Sequence, residues 1–123
     1  MLDHITLRVK DLGASKAFYD KTLGILGMRV VLGGLEKGFI GYGVTNDPAF
    51  EIVQSGKHMP AHKNVHVAFK AEDKVTIDKL YDVAIAAGAK DNGKPGPRPK
   101  YSSTYYACYV LDPDDNNIEI CLH

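Results

Sequence analysis

The chain has 123 residues, of which 45% are hydrophobic and 24% charged, the composition of a soluble globular domain with its own core. Its 15 lysines and arginines balance 15 aspartates and glutamates, so nothing in the charge predicts binding to nucleic acid or to an anionic membrane. The sequence shows no basic, apolar leader and no apolar run of membrane-spanning length. We therefore expect a single cytoplasmic domain without a membrane partner.

The first half of the chain predicts a strand, a helix and three further strands. The alternation of "HITLRV" at residues 4–9 predicts a strand with His4, Thr6 and Arg8 on one face. The segment "KDLGASKAFYDKTLGIL" at 10–26 has apolar residues at helical spacing and a glycine near its end, which predicts a helix. Glycine-rich and "NDP" turns then separate three short strand candidates, "MRVVLGG", "KGFIGYGV" and "AFEIVQ".

The second half predicts the same elements in the same order after a linker, "SGKHMPAHKN", at 55–64. "HVAFKA" at 66–71 predicts a strand, and "KVTIDKLYDVAIAAGA" predicts a helix that ends at Gly88. A weak strand near Lys90 precedes "NGKPGPRPK", whose prolines and glycines predict a loop. "YYACYVLD" and "NIEICLH" predict two final strands joined by the turn "DPDDN".

The two halves match when the sequence is shifted against itself by 66 − 4 = 62 positions. The shift pairs strand, turn and helix residues: His4 with His66, Leu7 with Phe69, Asp11 with Asp73, and Tyr19 with Tyr81. Agreement across three kinds of element predicts an internal duplication. We therefore expect an α+β fold of two tandem βαβββ modules, residues 1–54 and 65–123, related by pseudo-twofold symmetry within one domain.

Two stretches of the chain resemble the vicinal oxygen chelate superfamily, "LDHITLRVKDLGASKAFYDKTLGILGM" at the start and "YYACYVLDPDDNNIEICLH" at the end. That superfamily includes glyoxalase I, extradiol dioxygenases, fosfomycin-modifying enzymes and bleomycin-resistance proteins. With "PGPRPKY" before it, the tail is most similar to small glyoxalase-like proteins of uncertain function. The resemblance implies a curved half-barrel sheet around a central cavity. It also implies a homodimer, since a partner could cover the apolar faces and edges of two small sheets.

The resemblance further implies a divalent metal ion in the cavity, bound by the first and last strands of each module. The matching positions are His4 and Glu51, 51 − 4 = 47 residues apart, and His66 and Glu119, 119 − 66 = 53 residues apart. Two imidazoles and two carboxylates suit Zn, Ni, Mn, Fe or Co and leave positions open for a substrate. A set of His4, His66 and Glu119 without Glu51 is the alternative, as in oxygenases that use two histidines and one carboxylate.

Four further residues are candidates for binding substrate. Arg8 and Lys70 follow the two histidines by four residues, so each shares a strand face with its histidine and could hold a substrate carboxylate. In glyoxalase I an arginine at the position of Arg8 contacts glutathione; charges that only border the cavity mouth are the alternative. Arg98 and Tyr101 lie in the long loop, where this fold often builds a substrate lid, although a polar surface loop would look the same.

Two other pairs of residues are expected to be structural or solvated. Cys108 and Cys121 flank the final hairpin, and we expect free thiols that could be cross-strand neighbours. His58 and His62 belong to the linker and are expected to face solvent.

The function implied by the resemblance is that of a metal-dependent, glyoxalase-like lyase or isomerase. Its substrate would be a small molecule with two vicinal oxygens, such as a hemithioacetal, and Glu119 would remove a proton from carbon. Glyoxalase I has a glutathione-contacting asparagine where this chain has Ser55, and a glycine before the histidine equivalent to His66, so glutathione itself is a doubtful substrate. The alternatives are a metal-free, drug-binding protein of the bleomycin-resistance type and a ring-cleaving dioxygenase, whose chains are usually longer.

Overall fold

Each half of the chain folds into one strand, one helix and three further strands, so the α+β class and the duplicated order predicted from the sequence are confirmed. The structure, a computed structural model, describes residues 1–123. A short 3₁₀ turn at Leu35–Lys37 interrupts the first module. The helices and strands, in chain order, are β1 (Ile5–Val9), α1 (Leu12–Gly24), β2 (Arg29–Gly34), β3 (Phe39–Gly43), β4 (Phe50–Gln54), β5 (His66–Lys70), α2 (Lys74–Ala86), β6 (Lys90–Pro97), β7 (Tyr106–Leu111) and β8 (Asn117–Leu122).

Both helices begin at an aspartate whose side chain caps the first turn. The Asp11 carboxylate accepts a hydrogen bond from the backbone N–H of Ala14 at 3.0 Å, and Asp73 accepts one from that of Thr76 at 2.7 Å. The bond from Thr76 lowers the pKa of the Asp73 carboxyl below its usual value. These aspartates are the pair that the internal sequence match aligns, so the match marks equivalent helix starts. Neither helix is long and apolar enough to span a membrane.

The strands form two separate four-stranded sheets with the same topology, β1-β4-β3-β2 and β5-β8-β7-β6. The first and last strands of each module are parallel neighbours, and the other pairings are antiparallel. In the first sheet Thr6 lies opposite Glu51, and in the second Ala68 lies opposite Glu119. Because side chains alternate along a strand, this register places each glutamate on the same face as the histidine of its module.

Strand β6 differs from the sequence-based prediction. It extends over eight residues, Lys90–Pro97, into the segment that was predicted to be a loop. Its pairing with β7 shifts register at Gly93 and again before Gly96. Proline is tolerated here because β6 is the edge of its sheet, where one side of the backbone has no strand neighbour. The proline- and glycine-rich composition therefore did not indicate that this segment continues as an irregular edge strand.

The two modules pack against each other through their apolar faces and helices. One cluster of 19 buried residues draws on both modules. At the contact between modules the ring of Phe50 meets that of Phe69 edge to face, with 5.3 Å between ring centroids. The opposite sheet faces, which carry the histidines, take no part in this contact between the modules.

A buried polar contact also joins the modules. The Tyr19 hydroxyl of α1 donates a hydrogen bond of 2.5 Å to Asp112 Oδ2 in the β7–β8 turn, and both residues are buried. The other oxygen, Oδ1, accepts from the backbone N–H groups of Asp114 and Asn116. Burial and the neighbouring Asp112 carboxylate raise the pKa of Tyr19 well above its usual value. Every oxygen of this carboxylate thus has a partner inside the chain.

The two cysteines are free, but the expectation that they are cross-strand neighbours is wrong. Cys108 lies opposite Ile120, and Cys121 lies opposite Ala107. The two thiols therefore point to opposite faces of the second sheet: Cys108 faces α2, and Cys121 shares the face of Glu119.

Candidate active site

The second module brings His66 and Glu119 into direct contact. Their strands, β5 and β8, are parallel neighbours, and His66 Nε2 lies 2.8 Å from Glu119 Oε2. The Glu119 side chain is 5% exposed whereas that of His66 is 53% exposed. A carboxylate this buried is costly unless it is paired, and the imidazole at the cavity surface is the one ionisable partner on this oxygen.

The other oxygen of Glu119 is held by two tyrosines. The hydroxyl of Tyr105 donates to Oε1 at 2.7 Å, and that of Tyr109 donates to the same atom at 3.1 Å. The hydrogen bond to Glu119 raises the pKa of Tyr105 above its usual value, and burial together with the Glu119 charge raises that of Tyr109 to about 12. Both phenols therefore stay protonated and remain donors at neutral pH.

A cavity of about 590 Å³ opens over this group and has aromatic walls. The ring of Tyr101 meets Tyr105 edge to face at 5.2 Å, and the Tyr105 ring stacks on His123 at 5.3 Å between centroids. A site with apolar walls and a few convergent polar groups is the usual form of a small-molecule pocket. The residues that line the cavity are His66, Tyr101, Tyr105, Tyr109, Asn117 and Glu119.

The first module forms a looser version of the same pair. His4 directly precedes β1, and Glu51 lies in β4. Glu51 Oε2 accepts a hydrogen bond of 2.9 Å from Thr6, while His4 Nδ1 lies 2.7 Å from the Asp3 carboxylate. The contact with Asp3, and then the charge of Glu51, raise the pKa of His4 above its usual value. His4 and Glu51 are therefore electrostatic neighbours without a direct hydrogen bond.

The four predicted ligands are thus brought together as two pairs and not as one cluster. Within the chain, no group of three or more His, Cys, Asp or Glu side chains is arranged to hold a metal ion. The pairs belong to different sheets, and those sheets pack through their opposite faces. The expected convergence of His4, Glu51, His66 and Glu119 on one point does not occur inside a single chain, and neither does the three-residue alternative.

Two of the three predicted basic residues, Arg8 and Arg98, are engaged by backbone carbonyls. Arg8 donates from Nε to the Pro60 carbonyl at 2.9 Å, so the linker engages its guanidinium. Arg98 donates to the carbonyls of Gly96, Pro97 and Lys94, and its guanidinium carbon lies 5.4 Å from the centre of the Tyr109 ring. Lys70 is exposed at the end of β5.

His62, which was expected to face solvent, instead fixes the linker to β1. The Nδ1 atom of its ring accepts a hydrogen bond of 2.8 Å from the backbone N–H of Arg8, and the backbone N–H of His62 donates to the Arg8 carbonyl at 2.8 Å. Strand β4 pairs with β1 on one side only, and on the other side the linker provides hydrogen-bond partners for the backbone N–H and carbonyl of Arg8.

Tyr105 and Tyr109 are the site residues that the sequence analysis missed. Their signal was present in "YYACY": residues 105, 107 and 109 share one face, and Tyr109 lies directly opposite Glu119 in the β7–β8 pairing. Alternation therefore indicated that Tyr109 faces the glutamate. The bond from Tyr105 depends on how the chain enters β7, which alternation does not show.

The fold and the site define a class of protein: an α+β chain of two βαβββ modules, each presenting a histidine and a glutamate on one sheet face, with an aromatic-walled cavity beside the second pair. Comparison with known protein families identifies the superfamily. The model of the Glyoxalase/Bleomycin resistance protein/Dioxygenase superfamily matches residues 1–120, and the chain belongs to that superfamily.

Solved structures share this fold over nearly the whole chain. A glyoxalase/bleomycin resistance protein from Albidiferax ferrireducens is 29% identical with a TM-score of 0.81, covering 97% of this chain and 95% of that one. A lactoylglutathione lyase from Agrobacterium tumefaciens is 20% identical with a TM-score of 0.68, covering 98% and 92%. The fosfomycin resistance protein FosX from Mesorhizobium loti is 20% identical with a TM-score of 0.70, covering 100% and 92%. Among curated protein sequences none matches this chain.

Proposed function

We propose that the protein is a metal-dependent lyase or isomerase of the glyoxalase type that acts on a small substrate with two vicinal oxygens. The observation that carries this proposal is the buried Glu119 carboxylate, which presents Oε2 to the His66 imidazole at 2.8 Å on the floor of a cavity. Superfamily membership supports it, because a lactoylglutathione lyase and a fosfomycin resistance protein share the fold.

The donor set fits a divalent transition metal. Each module contributes one imidazole and one carboxylate, and two such pairs make a set of His4, Glu51, His66 and Glu119. Nitrogen and oxygen donors in this ratio suit Zn, Ni, Mn, Fe or Co. A bound metal would supply Lewis acidity to two neighbouring substrate oxygens. The cavity volume of about 590 Å³ suits a substrate of small-molecule size.

The complete set of four requires a second copy of the chain. In each sheet the first strand is an edge, since β1 and β5 each have a strand neighbour on one side only. Edges of this kind are commonly paired or covered in assemblies. A twofold dimer that sets the first module of one copy beside the second module of the other unites the two pairs twice, once at each symmetric interface.

The chain's own residues account for binding and proton transfer. A glutamate carboxylate of the set takes a proton from a substrate carbon that is acidified by its neighbouring carbonyl. Tyr101 and Tyr105 form a wall that limits water at the reacting carbon. Since Arg8 and Arg98 are engaged by backbone carbonyls, these two residues offer little for the carboxylates of glutathione, and a smaller or less charged substrate fits better.

Elemental analysis of protein purified without added metal, followed by a hemithioacetal isomerisation assay, tests the proposal. We expect about one transition-metal ion per chain and turnover that a chelator abolishes and added metal restores. A protein that neither retains nor takes up a transition metal would contradict it.

A metal-free binding protein of the bleomycin-resistance type is the second candidate. It is favoured by the absence of a three-ligand group within the chain and by the aromatic walls of the cavity. On this alternative the protein has no bound metal and no isomerase activity, yet tyrosine fluorescence changes on titration with a drug-sized ligand that enters the cavity.

A further inference from the structure

We infer that the cavity beside Glu119 is a preassembled site for an aromatic ring that carries an anionic group, such as a carboxylate, and that Arg98 is the positioning residue that holds its three tyrosines together. The inference goes beyond the proposed function, because it needs neither a metal ion nor a second chain. All the residues it uses lie in the second module. They include the segment "NGKPGPR" at 92–98, to which the proposed function gives no role.

The Arg98 side chain fits a slot that two glycines leave open beside Tyr109. A Cβ at Gly93 would lie 2.8 Å from Tyr109 Cδ2 and 3.4 Å from Arg98 Nη2. A Cβ at Gly96 would lie 3.3 Å from Arg98 Nη1. In this slot the guanidinium carbon lies 5.4 Å from the centre of the Tyr109 ring, and the guanidinium donates to the carbonyls of Lys94 and Gly96 at 2.7 and 2.9 Å. Because Arg98 does not itself line the cavity, it supports this ring from behind.

The backbone of Arg98 holds the other two tyrosines of the cavity. Its N–H donates to the Tyr105 carbonyl at 2.8 Å, and its carbonyl accepts from the Tyr101 N–H at 3.0 Å. One residue thus contacts all three tyrosines that line the cavity, so the aromatic wall is in place before a ligand binds. Such preorganisation strengthens binding, because the freedom of the side chains is lost on folding and not on binding.

The wall and its charges favour an aromatic ligand with a negative charge. Aromatic rings that pair edge to face or offset gain more than the area they bury, so three tyrosine rings favour an aromatic ligand over an aliphatic one. Arg98 lies against one ring of the wall, and Lys100 Nζ lies 5.3 Å from the centre of the Tyr101 ring. Two positive charges at the wall are complementary to an anionic group on the ligand.

Asn117 provides the hydrogen-bond donors for that group. Its Oδ1 accepts from Asn92 Nδ2 at 3.1 Å, so its own amide N–H groups are left to donate to a ligand oxygen. The Glu119 carboxylate is 5% exposed, and its charge is already offset by two phenol hydroxyls and by His66. The anionic oxygen of the ligand therefore lies at Asn117, and the ring lies on the tyrosines.

Three small probes test the ligand class on the intact protein. Benzoate carries the ring and the charge, cyclohexanecarboxylate keeps the charge without an aromatic ring, and benzylamine keeps the ring with the opposite charge. Binding is measured by calorimetry and by the NMR signals of the Asn117 side-chain amide, with the protein as purified and again with a chelator. We expect benzoate to bind roughly fivefold more tightly than cyclohexanecarboxylate and to shift the amide signals, because only benzoate pairs with the tyrosines. Benzylamine should bind more weakly than benzoate.

Three results would overturn the ligand class. They are equal affinity for benzoate and either other probe, benzoate binding that the chelator abolishes, and no benzoate binding at concentrations on the order of 10 mM. None of the three would contradict the metal-dependent function, which is judged by metal content and turnover.

Arg98→Met and Arg98→Lys test the positioning role, with circular dichroism to check that each variant is folded. Arg98→Met should bind benzoate roughly tenfold more weakly and lose the preference over cyclohexanecarboxylate, because the tyrosines are no longer held in place. Arg98→Lys keeps a cation beside Tyr109 and should recover part of both. Arg29→Met is the matched control: Arg29 Nη2 also donates to a neighbouring oxygen, Asn46 Oδ1 at 3.0 Å, but in the first module. Wild-type affinity and preference in folded Arg98→Met would overturn this role.

Asn117→Asp tests the inference even if neither Arg98 variant folds. It replaces the free amide donors by oxygens at almost unchanged size, and Asn92 can still donate to it. Benzoate should bind more than roughly tenfold more weakly, because a hydrogen bond to a charged group is lost and a like charge is introduced. Benzylamine should bind no more weakly than to wild type. A folded Asn117→Asp variant that binds benzoate like wild type would overturn the inference.

Discussion

Glu119 and Asp112 are both carboxylates buried behind tyrosine hydroxyls, yet their surroundings assign them different roles. Asp112 accepts from Tyr19 and from the backbone of its own turn, so both oxygens are satisfied inside the chain. Glu119 has one oxygen satisfied in the same way and the other presented to a half-exposed histidine. A buried carboxylate with all its partners serves the fold, and one with an open side indicates a ligand-binding site.

Replacing Tyr19 by Phe tests the structural half of this comparison. The variant leaves Asp112 Oδ2 without the phenol that now donates to it at 2.5 Å. Leaving a buried acceptor short of a partner costs about 1–3 kcal/mol. We expect urea unfolding at pH 7 to show a loss of this size, and an unchanged midpoint would contradict the assigned role.

The same residue predicts how stability changes at alkaline pH. The pKa of Tyr19 in the folded chain lies well above its usual value of 10.0, which the unfolded chain recovers. The stabilisation is therefore fully present below pH 10 and is lost as pH rises beyond it, because the unfolded state releases the proton first. Tyr19→Phe should give a shallower fall of the unfolding free energy between pH 9 and about 11 than wild type. Parallel slopes for the two proteins would show that Tyr19 does not contribute.

At the scale of elements, the pairing of β2 with β3 in the first module depends on a glycine, because any side chain at that position would meet the neighbouring strand. Gly33 in β2 has a φ of +82°, and a Cβ built there would lie 2.2 Å from the Phe39 carbonyl oxygen. Gly38 has a nearly identical φ of +80° with nothing within 4 Å of such a Cβ. Gly38→Ala should thus cost about 1–2 kcal/mol for the left-handed backbone alone. Gly33→Ala should lower the melting temperature distinctly more, because the β2–β3 pairing must also open. Equal melting temperatures for the two variants would argue against that contact.

The sequence predicts those features of the helices and strands that are determined by neighbouring residues in the chain, and it does not predict those that depend on distant contacts. The helix starts at Asp11 and Asp73 follow from capping chemistry within four residues, and the internal match found both. The family resemblance implied that His66 and Glu119 lie close together, and the β5–β8 register brings their side chains into contact. The length of strand β6 was underestimated because pairing of this edge with β7 outweighs the low strand propensity of its prolines and glycines. The path of the linker, with His62 on Arg8, depends on contacts 54 residues apart, which local patterns do not contain.

At the scale of the whole molecule, module packing explains why the predicted ligands form two pairs. The sequence match indicates that His4 and His66 are equivalent, but it does not show which faces of the two sheets meet. The chain buries Phe50 against Phe69 and Tyr19 against Asp112, so the histidine-bearing faces turn away from each other. On the proposal of a metal site shared between two chains, the meeting of the four residues depends on the dimer, which the sequence of one chain does not describe.

The last prediction follows from this arrangement: the protein should be a homodimer whose metal sites are each shared between two chains. One copy carries His4→Ala and Glu51→Ala, and the other carries His66→Ala and Glu119→Ala. Alone, each variant should bind no metal, although sedimentation should show a folded dimer. Co-expressed in equal amounts, about half of the dimers contain both kinds of copy, and each of these regains one of its two sites. We thus expect about a quarter of the wild-type metal content per chain. If the co-expressed copies remain empty while wild type binds metal, the four residues do not meet across a dimer.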